Sequence, residues 1–127
     1  MGDVVSVRGD AFSGFAEQQG TKINARLRGV ASYSALDALE LMLSRLHEVA
    51  ERTSVDETIV DLRELEFMSS SCLKTMIAWI NEIQLMDADR RYRVRLVSNP
   101  SVLWQRRGLE SLRCFASDLI TVDAPEG

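Results

Sequence analysis

The segment from Thr58 to Met86 places the strongest constraint on the fold of this chain. A strand-like run, Thr58 to Leu62, leads through a short turn to three consecutive serines, Ser69 to Ser71. The serines precede an amphipathic helical pattern and are residues that favour the first positions of a helix. The segment therefore predicts a strand followed directly by a helix, which is a unit of layered α/β domains.

Three helices are expected from apolar residues at helical spacing. The first covers Ser34 to Arg52 with Ser34 as N-cap, and the second covers Ser70 to Met86. The apolar stripe of the second helix spans about half of its circumference, which fits packing on a neighbouring helix better than contact with a partner. The third starts with Asn99 as N-cap and Pro100 at the first helical position, and Gly108 predicts its end. One further short helical stretch contains Leu109, Leu112 and Phe115.

The remaining apolar runs predict strands. They are Val4–Val7, Lys22–Arg28, Tyr92–Leu96 and Asp118–Val122, in addition to the run that ends at Leu62. Two of these strands alternate polar and apolar residues, so one face of the sheet is expected to be in water and the helices mainly on the other. Asp10 to Gly20 is interpreted as a loop and Asp123 to Gly127 as a frayed tail.

The order of these elements predicts one α/β domain of two layers over residues 1–127. Later strands alternate with helices, so crossovers place them parallel, and the first two strands are expected to pair as an antiparallel edge. The result is a mixed, mostly parallel sheet.

Composition restricts the function further. The chain has 127 residues and a net charge of −4, which argues against nucleic acid as the main partner. No apolar run is long enough for a membrane span, and no secretory signal is recognisable. Cys72 and Cys114 lack the spacing of metal ligands and are interpreted as reduced thiols of a cytoplasmic protein.

Catalysis is poorly supported by the residues. His47 is the only histidine and lies at the edge of the first helix's apolar arc, so a nucleophile–histidine arrangement could be built only around it. No cluster of metal ligands and no glycine-rich phosphate loop is present, so neither a metal nor a cofactor is expected. Cys72 lies in the first turn of a helix, where cysteines can be reactive, but its apolar flank favours a buried, inert thiol.

Arginines crowd the last third of the chain, and the default interpretation is a solvated surface. They are Arg90, Arg91, Arg93, Arg95, Arg106, Arg107 and Arg113. The functional alternative is contact with an anion or an acidic protein.

The serine triplet is the remaining candidate for a functional site. Capping alone needs one of the three hydroxyl groups. A phosphate at the start of this helix would meet free N–H groups, and Lys74 lies one turn after Ser70 on the same face. A charge of about −1.5 to −2 would then enter any interface formed there, which makes the serines a candidate binding switch.

These residues resemble the STAS domain, the fold of bacterial anti-sigma factor antagonists. Ile59-Val60-Asp61-Leu62 matches the family's strand, and Phe67-Met68-Ser69-Ser70-Ser71-Cys72-Leu73 matches its switch segment. Val94 to Pro100 and Gly108 to Phe115 are similar to the later strand, helix and closing turn. Two positions depart from the pattern, since Ser69 replaces an acidic residue and Cys72 replaces a glycine.

The resemblance implies a non-catalytic partner-switching protein. Its phosphoacceptor would be Ser70, with Ser69 and Ser71 as alternates, and Ser69, Ser70, Ser71 and Lys74 would contact the partner. The implied partners are a serine kinase of the anti-sigma type, or another regulatory protein, and a serine/threonine phosphatase. A constitutive STAS subunit of a transport ATPase complex is the alternative, and a small thiol enzyme or redox sensor using Cys72 is a third hypothesis.

Overall fold

A computed structural model describes residues 4–124, and its strands and helices alternate after an initial meander. The elements are β1 (Val4–Gly9), β2 (Phe12–Gln19), β3 (Lys22–Ala31), a 3₁₀ turn (Tyr33–Ala35), α1 (Leu36–Thr53), β4 (Glu57–Met68), α2 (Ser70–Gln84), β5 (Arg93–Val97), α3 (Leu103–Phe115) and β6 (Ile120–Asp123).

The six strands form one sheet in the order in which they occur along the chain. β1, β2 and β3 pair antiparallel, and β3, β4, β5 and β6 pair parallel. The parallel pairs are joined by helical crossovers, which satisfies the length that a parallel connection needs. The predicted mixed, mostly parallel sheet is confirmed.

The core lies on one face of this sheet. Side chains alternate along the strands, so that Ile23, Ala25 and Leu27 are buried while Asn24 and Arg26 point to the other face. α1 packs on β1, β2 and β3, α3 packs on β4 and β6, and α2 contacts both of these helices. The wide apolar stripe of α2 therefore packs on neighbouring helices as predicted, and the second face of the sheet carries no helix of the described chain.

The predicted loop from Asp10 to Gly20 is wrong, because most of it is β2. This strand buries Phe12, Gly14 and Ala16 on the core face. Gly14 is close to Met42, and a Cβ at this position would overlap the Met42 sulfur. Two small residues at core positions conceal the alternation that identifies a strand. Because β2 lies between β1 and β3, the predicted direct pairing of the first two strands is also wrong.

Two predicted helix starts and one predicted helix end need correction. Ser34 lies in the 3₁₀ turn with its hydroxyl 2.9 Å from that of Ser32, and α1 starts after Ala35 without a side-chain cap. The Asn99 side chain accepts a hydrogen bond from the Ser101 N–H at 3.0 Å and stabilises a turn, so that α3 begins at Leu103. Gly108 lies buried within α3 against the ring of Trp104, where a side chain would not fit, and does not end the helix.

The chain end departs from the prediction as well. Asp123 belongs to β6, where it pairs with Val97, and is not part of a tail. Residues 125–127 lie outside the described range.

Candidate functional site

The three serines lie where β4 meets α2, and the structure separates their roles. Ser69 has an extended backbone, and its N–H donates to the carbonyl of Ala31 in β3 at 2.8 Å. Its hydroxyl oxygen accepts a hydrogen bond from the N–H of Cys72 at 3.2 Å. Ser69 is therefore the N-cap of α2, and capping does not occupy the other two hydroxyl groups.

Ser70 is the exposed member of the triplet. Its hydroxyl makes no hydrogen bond to the described part of the chain, and the N–H groups of Ser70 and Ser71 belong to the first turn, where no intrahelical acceptor exists. Lys74 is exposed one turn later and forms no ion pair with residues 4–124. Ser71 is half-buried, and its carbonyl accepts a hydrogen bond from the Thr75 hydroxyl at 3.2 Å.

The start of α2 lies at the carboxyl edge of three neighbouring parallel strands, β3, β4 and β5. The Cys72 thiol lies 3.5 Å from the carbonyl of Ser32, which follows β3. On the other side, the indole N–H of Trp104 in α3 donates to the carbonyl of Leu65 in β4 at 2.9 Å. These contacts attach the segments after β3 and β5 to the β4–α2 junction.

Three large apolar side chains are exposed along this edge. Tyr33 follows β3 and is 75% exposed, Phe67 is the last residue but one of β4 and is 45% exposed, and Leu103 begins α3 after β5 and is 87% exposed. We refer to Tyr33, Phe67, Leu103, Ser69–Ser71 and Lys74 as the switch edge. Exposed apolar side chains beside polar ones are typical of surfaces that bind another protein.

Sequence analysis did not identify Tyr33 or Leu103. Each is a large apolar residue at the start of a helix but outside the apolar arc of that helix. This position was the signal in the sequence that could have identified them as exposed. Phe67 belongs to the segment that carried the resemblance, but its exposure follows from the register of β4. β4 contains two extra residues relative to β3, with shifts before Arg28 and before Val30, which interrupt its regular alternation.

Cys72 and His47, the residues considered for catalysis, both contact other parts of the fold. Cys72 is completely buried, as predicted, and its thiol faces the Ser32 carbonyl. His47 is a half-buried boundary residue, with Nδ1 2.7 Å from the Tyr92 hydroxyl. Within the described range, no three His, Cys, Asp or Glu side chains are placed to hold a metal ion, and no helix is long and apolar enough to cross a membrane.

The arginines of the last third do not form one surface. Arg93 and Arg95 lie on the uncovered sheet face, and Arg106 and Arg107 lie on α3. Arg91 donates to the carbonyls of Gln84 and Met86, at 2.7 and 3.1 Å, and so closes the end of α2. For Arg91 this is a structural role.

Comparison with known proteins bears on the fold. No protein-family model matches the sequence, and no curated protein matches it. Among solved structures, the chain is similar to an anti-sigma factor antagonist from Mycobacterium paratuberculosis, with a TM-score of 0.63 and 14% sequence identity. The similarity covers 97% of this chain and 87% of that one. The chain has the STAS fold. At 14% identity the likeness concerns the fold alone.

Proposed function

We propose that this STAS-fold chain is a non-catalytic regulatory protein that binds a protein partner through the switch edge and releases it when Ser70 is phosphorylated. The observation that carries the proposal is the separation of roles within the triplet. Ser69 caps α2, whereas the Ser70 side chain is exposed and its hydroxyl makes no hydrogen bond to the described residues. A kinase can therefore modify Ser70 without removing the cap.

The surroundings of Ser70 also support a switch. A phosphate on this side chain would lie beside the free N–H groups of the first helical turn, and the helix dipole favours negative charge there. Lys74 is one turn away and is not engaged in an ion pair with residues 4–124. The domain itself would tolerate the modification.

A bound partner would not tolerate it equally. Tyr33, Phe67 and Leu103 offer apolar contacts along the same edge, and a group of charge about −1.5 to −2 would have to be desolvated among them. Binding in the unmodified state and release in the phosphorylated state follow from this difference. The proposed partners are a serine kinase of the anti-sigma type or another regulatory protein, together with a serine/threonine phosphatase, and the proposed location is the cytoplasm.

The proposal is tested by capture from native lysate with Ser70→Ala and Ser70→Asp baits, read by mass spectrometry. We expect one partner on the alanine bait that is absent from the aspartate bait. Ser117→Asp is the matched control, because Ser117 is exposed in the connection that precedes β6, at the opposite edge of the parallel strands. Ser117→Asp should capture the partner as the unmodified chain does.

Equal capture by both Ser70 baits would contradict the switch. It would favour instead a constitutive accessory subunit, for example of a transport ATPase complex. Ser69→Asp and Ser71→Asp baits then decide whether a neighbouring serine is the acceptor. Loss of capture by Leu103→Ser, with unchanged thermal unfolding, would separately establish that the switch edge is the docking surface.

A further inference from the structure

The uncovered face of the sheet carries a basic concavity that the proposed switch does not use. Four arginines line a depression of about 690 Å³ on this face: Arg8, Arg26, Arg28 and Arg63. We refer to these four residues as the arginine face. Two acidic residues, Glu17 and Asp61, line the same depression, so its formal charge is positive although the whole chain carries −4.

The strand register explains how these arginines come together. Arg8 in β1 and Arg28 in β3 both pair with Ser13 in β2, so they flank a small side chain in one row across the sheet. In the neighbouring row, Arg26 pairs with Asp61. Adjacent strands lie about 4.8 Å apart, which places the Arg8 and Arg28 backbones about 10 Å from each other.

Internal ion pairs compensate only part of this charge. Arg63 binds the Asp61 carboxylate through two contacts of 3.0 and 2.9 Å, and Arg26 lies 3.8 Å from the same group. Arg28 lies 3.2 Å from Glu64, and both side chains are more than half exposed. Arg8 forms no ion pair with residues 4–124. The guanidinium groups of Arg8 and Arg28 are therefore the ones available to carboxylates, which guanidinium groups bind through paired hydrogen bonds.

Apolar side chains lie between the arginines. Phe15 in β2 is exposed, and Ile59 in β4 and Val97 in β5 are half-buried in the lining of the same concavity. The positive charges are thus spread across strands β1 to β4, with these apolar side chains among polar ones. A single small anion would contact one or two of them, whereas an extended chain crossing these strands would reach all four.

We propose that the arginine face is a second docking surface, which takes an extended acidic segment of a partner protein. Its carboxylates would pair with Arg8 and Arg28, and the aliphatic parts of its side chains would lie on Phe15 and Ile59. About five extended residues span the three strand spacings from β1 to β4, the strands that carry the arginines. Because this face is on the opposite side of the sheet from the helices, one chain can hold such a segment while the switch edge binds or releases another protein.

The test measures binding of a fluorescein-labelled hexaglutamate peptide by fluorescence anisotropy at low ionic strength, with a hexaglutamine peptide as the uncharged reference. The double variant Arg8→Gln, Arg28→Gln should bind hexaglutamate about tenfold more weakly than the natural chain. The matched control is Arg106→Gln, Arg107→Gln, which removes the same charge from exposed positions on α3 and should leave the affinity within about twofold. Equal weakening by both double variants would overturn the proposal, because it would reveal attraction to charge alone.

Three further measurements test whether binding is specific to the arginine face and to an acidic segment. Amide chemical shifts should move in β1, β2 and β3 on addition of hexaglutamate, and movement confined to the helices would contradict the proposal. Pyrophosphate, added at the same total concentration of negative charge, should compete weakly with hexaglutamate. If pyrophosphate bound more strongly than hexaglutamate, the ligand of the arginine face would be a small phosphate anion and the proposed acidic segment would be wrong. Ser70→Asp should bind hexaglutamate like the natural chain, so failure here is distinguishable from failure of the phosphorylation switch.

Discussion

The Nδ1 atom of His47 in α1 lies 2.7 Å from the hydroxyl oxygen of Tyr92, immediately before β5. The same oxygen accepts a hydrogen bond from the indole N–H of Trp79 in α2 at 2.8 Å. Because indole can only donate, the Tyr92 hydroxyl is free to donate to His47. One buried hydroxyl group therefore joins α1 and α2 to the start of β5. Burial raises the pKa of Tyr92 far above its usual value, so the hydroxyl group stays protonated.

Tyr92→Phe is expected to lower the free energy of unfolding by about 1–3 kcal/mol, because it leaves the buried indole N–H of Trp79 without an acceptor. Urea denaturation followed by tryptophan fluorescence measures this. Tyr33→Phe is the control, since Tyr33 is 75% exposed and should change stability by less than about 0.5 kcal/mol. Equal stability of Tyr92→Phe and the natural chain would mean that the hydrogen bond contributes nothing.

Ser69→Ala is expected to destabilise the chain by about 1 kcal/mol, because it removes the acceptor for the Cys72 N–H at the start of α2. Ser70→Ala should change stability by less than about 0.5 kcal/mol, since its hydroxyl makes no hydrogen bond to the described residues. Thermal and urea unfolding of the two variants give the comparison. If Ser70→Ala were the more destabilising, Ser70 would be the cap and the proposed assignment of roles would be reversed.

The sequence predicted those parts of the fold whose core side chains are large. α1 was located by Leu39, Met42, Leu43 and Leu46, which recur at helical spacing and are all buried. β2 was missed because Gly14 and Ala16 occupy two of its core positions. The prediction that Gly108 ends a helix was wrong, because the sequence does not distinguish a glycine that allows close packing, here against Trp104, from a glycine that ends a helix.

Only part of the candidate site could be predicted, because some of its residues are far apart in sequence. The serines are adjacent in sequence, so their place before a helix was recognisable. Tyr33 and Leu103 are separated from Phe67 by whole elements, and the parallel pairing of β3, β4 and β5 brings the three to one edge. The same limit applies to the arginine face, where the pairing of β1, β2 and β3 aligns Arg8 with Arg28.

Asp61 is expected to contribute to acid sensitivity. The Arg63 guanidinium, which hydrogen-bonds its carboxylate, holds the pKa of Asp61 below its ordinary value of 3.8. A carboxyl group with a lowered folded pKa stabilises the fold above the ordinary value, and this contribution is lost as the pH falls through the folded pKa. Asp61→Asn should therefore reduce stability at neutral pH and flatten the decline below pH 3.8. Denaturation series at several pH values test this, with Asp118→Asn as an exposed control. Parallel pH profiles for Asp61→Asn and the natural chain would contradict the prediction.

Thr58 in β4 is completely buried, and its hydroxyl oxygen is the one buried side-chain polar atom of residues 4–124 that has no hydrogen-bond partner. Burying a hydroxyl without a partner costs about 1–3 kcal/mol, and valine has nearly the same shape and the same preference for strands. Thr58→Val is therefore expected to raise the free energy of unfolding by about 1 kcal/mol in urea denaturation. Thr121→Val on the exposed side of β6 should have little effect, because that hydroxyl is in water in both states. A loss of stability in Thr58→Val that Thr121→Val does not share would mean that the Thr58 hydroxyl finds an acceptor in solution.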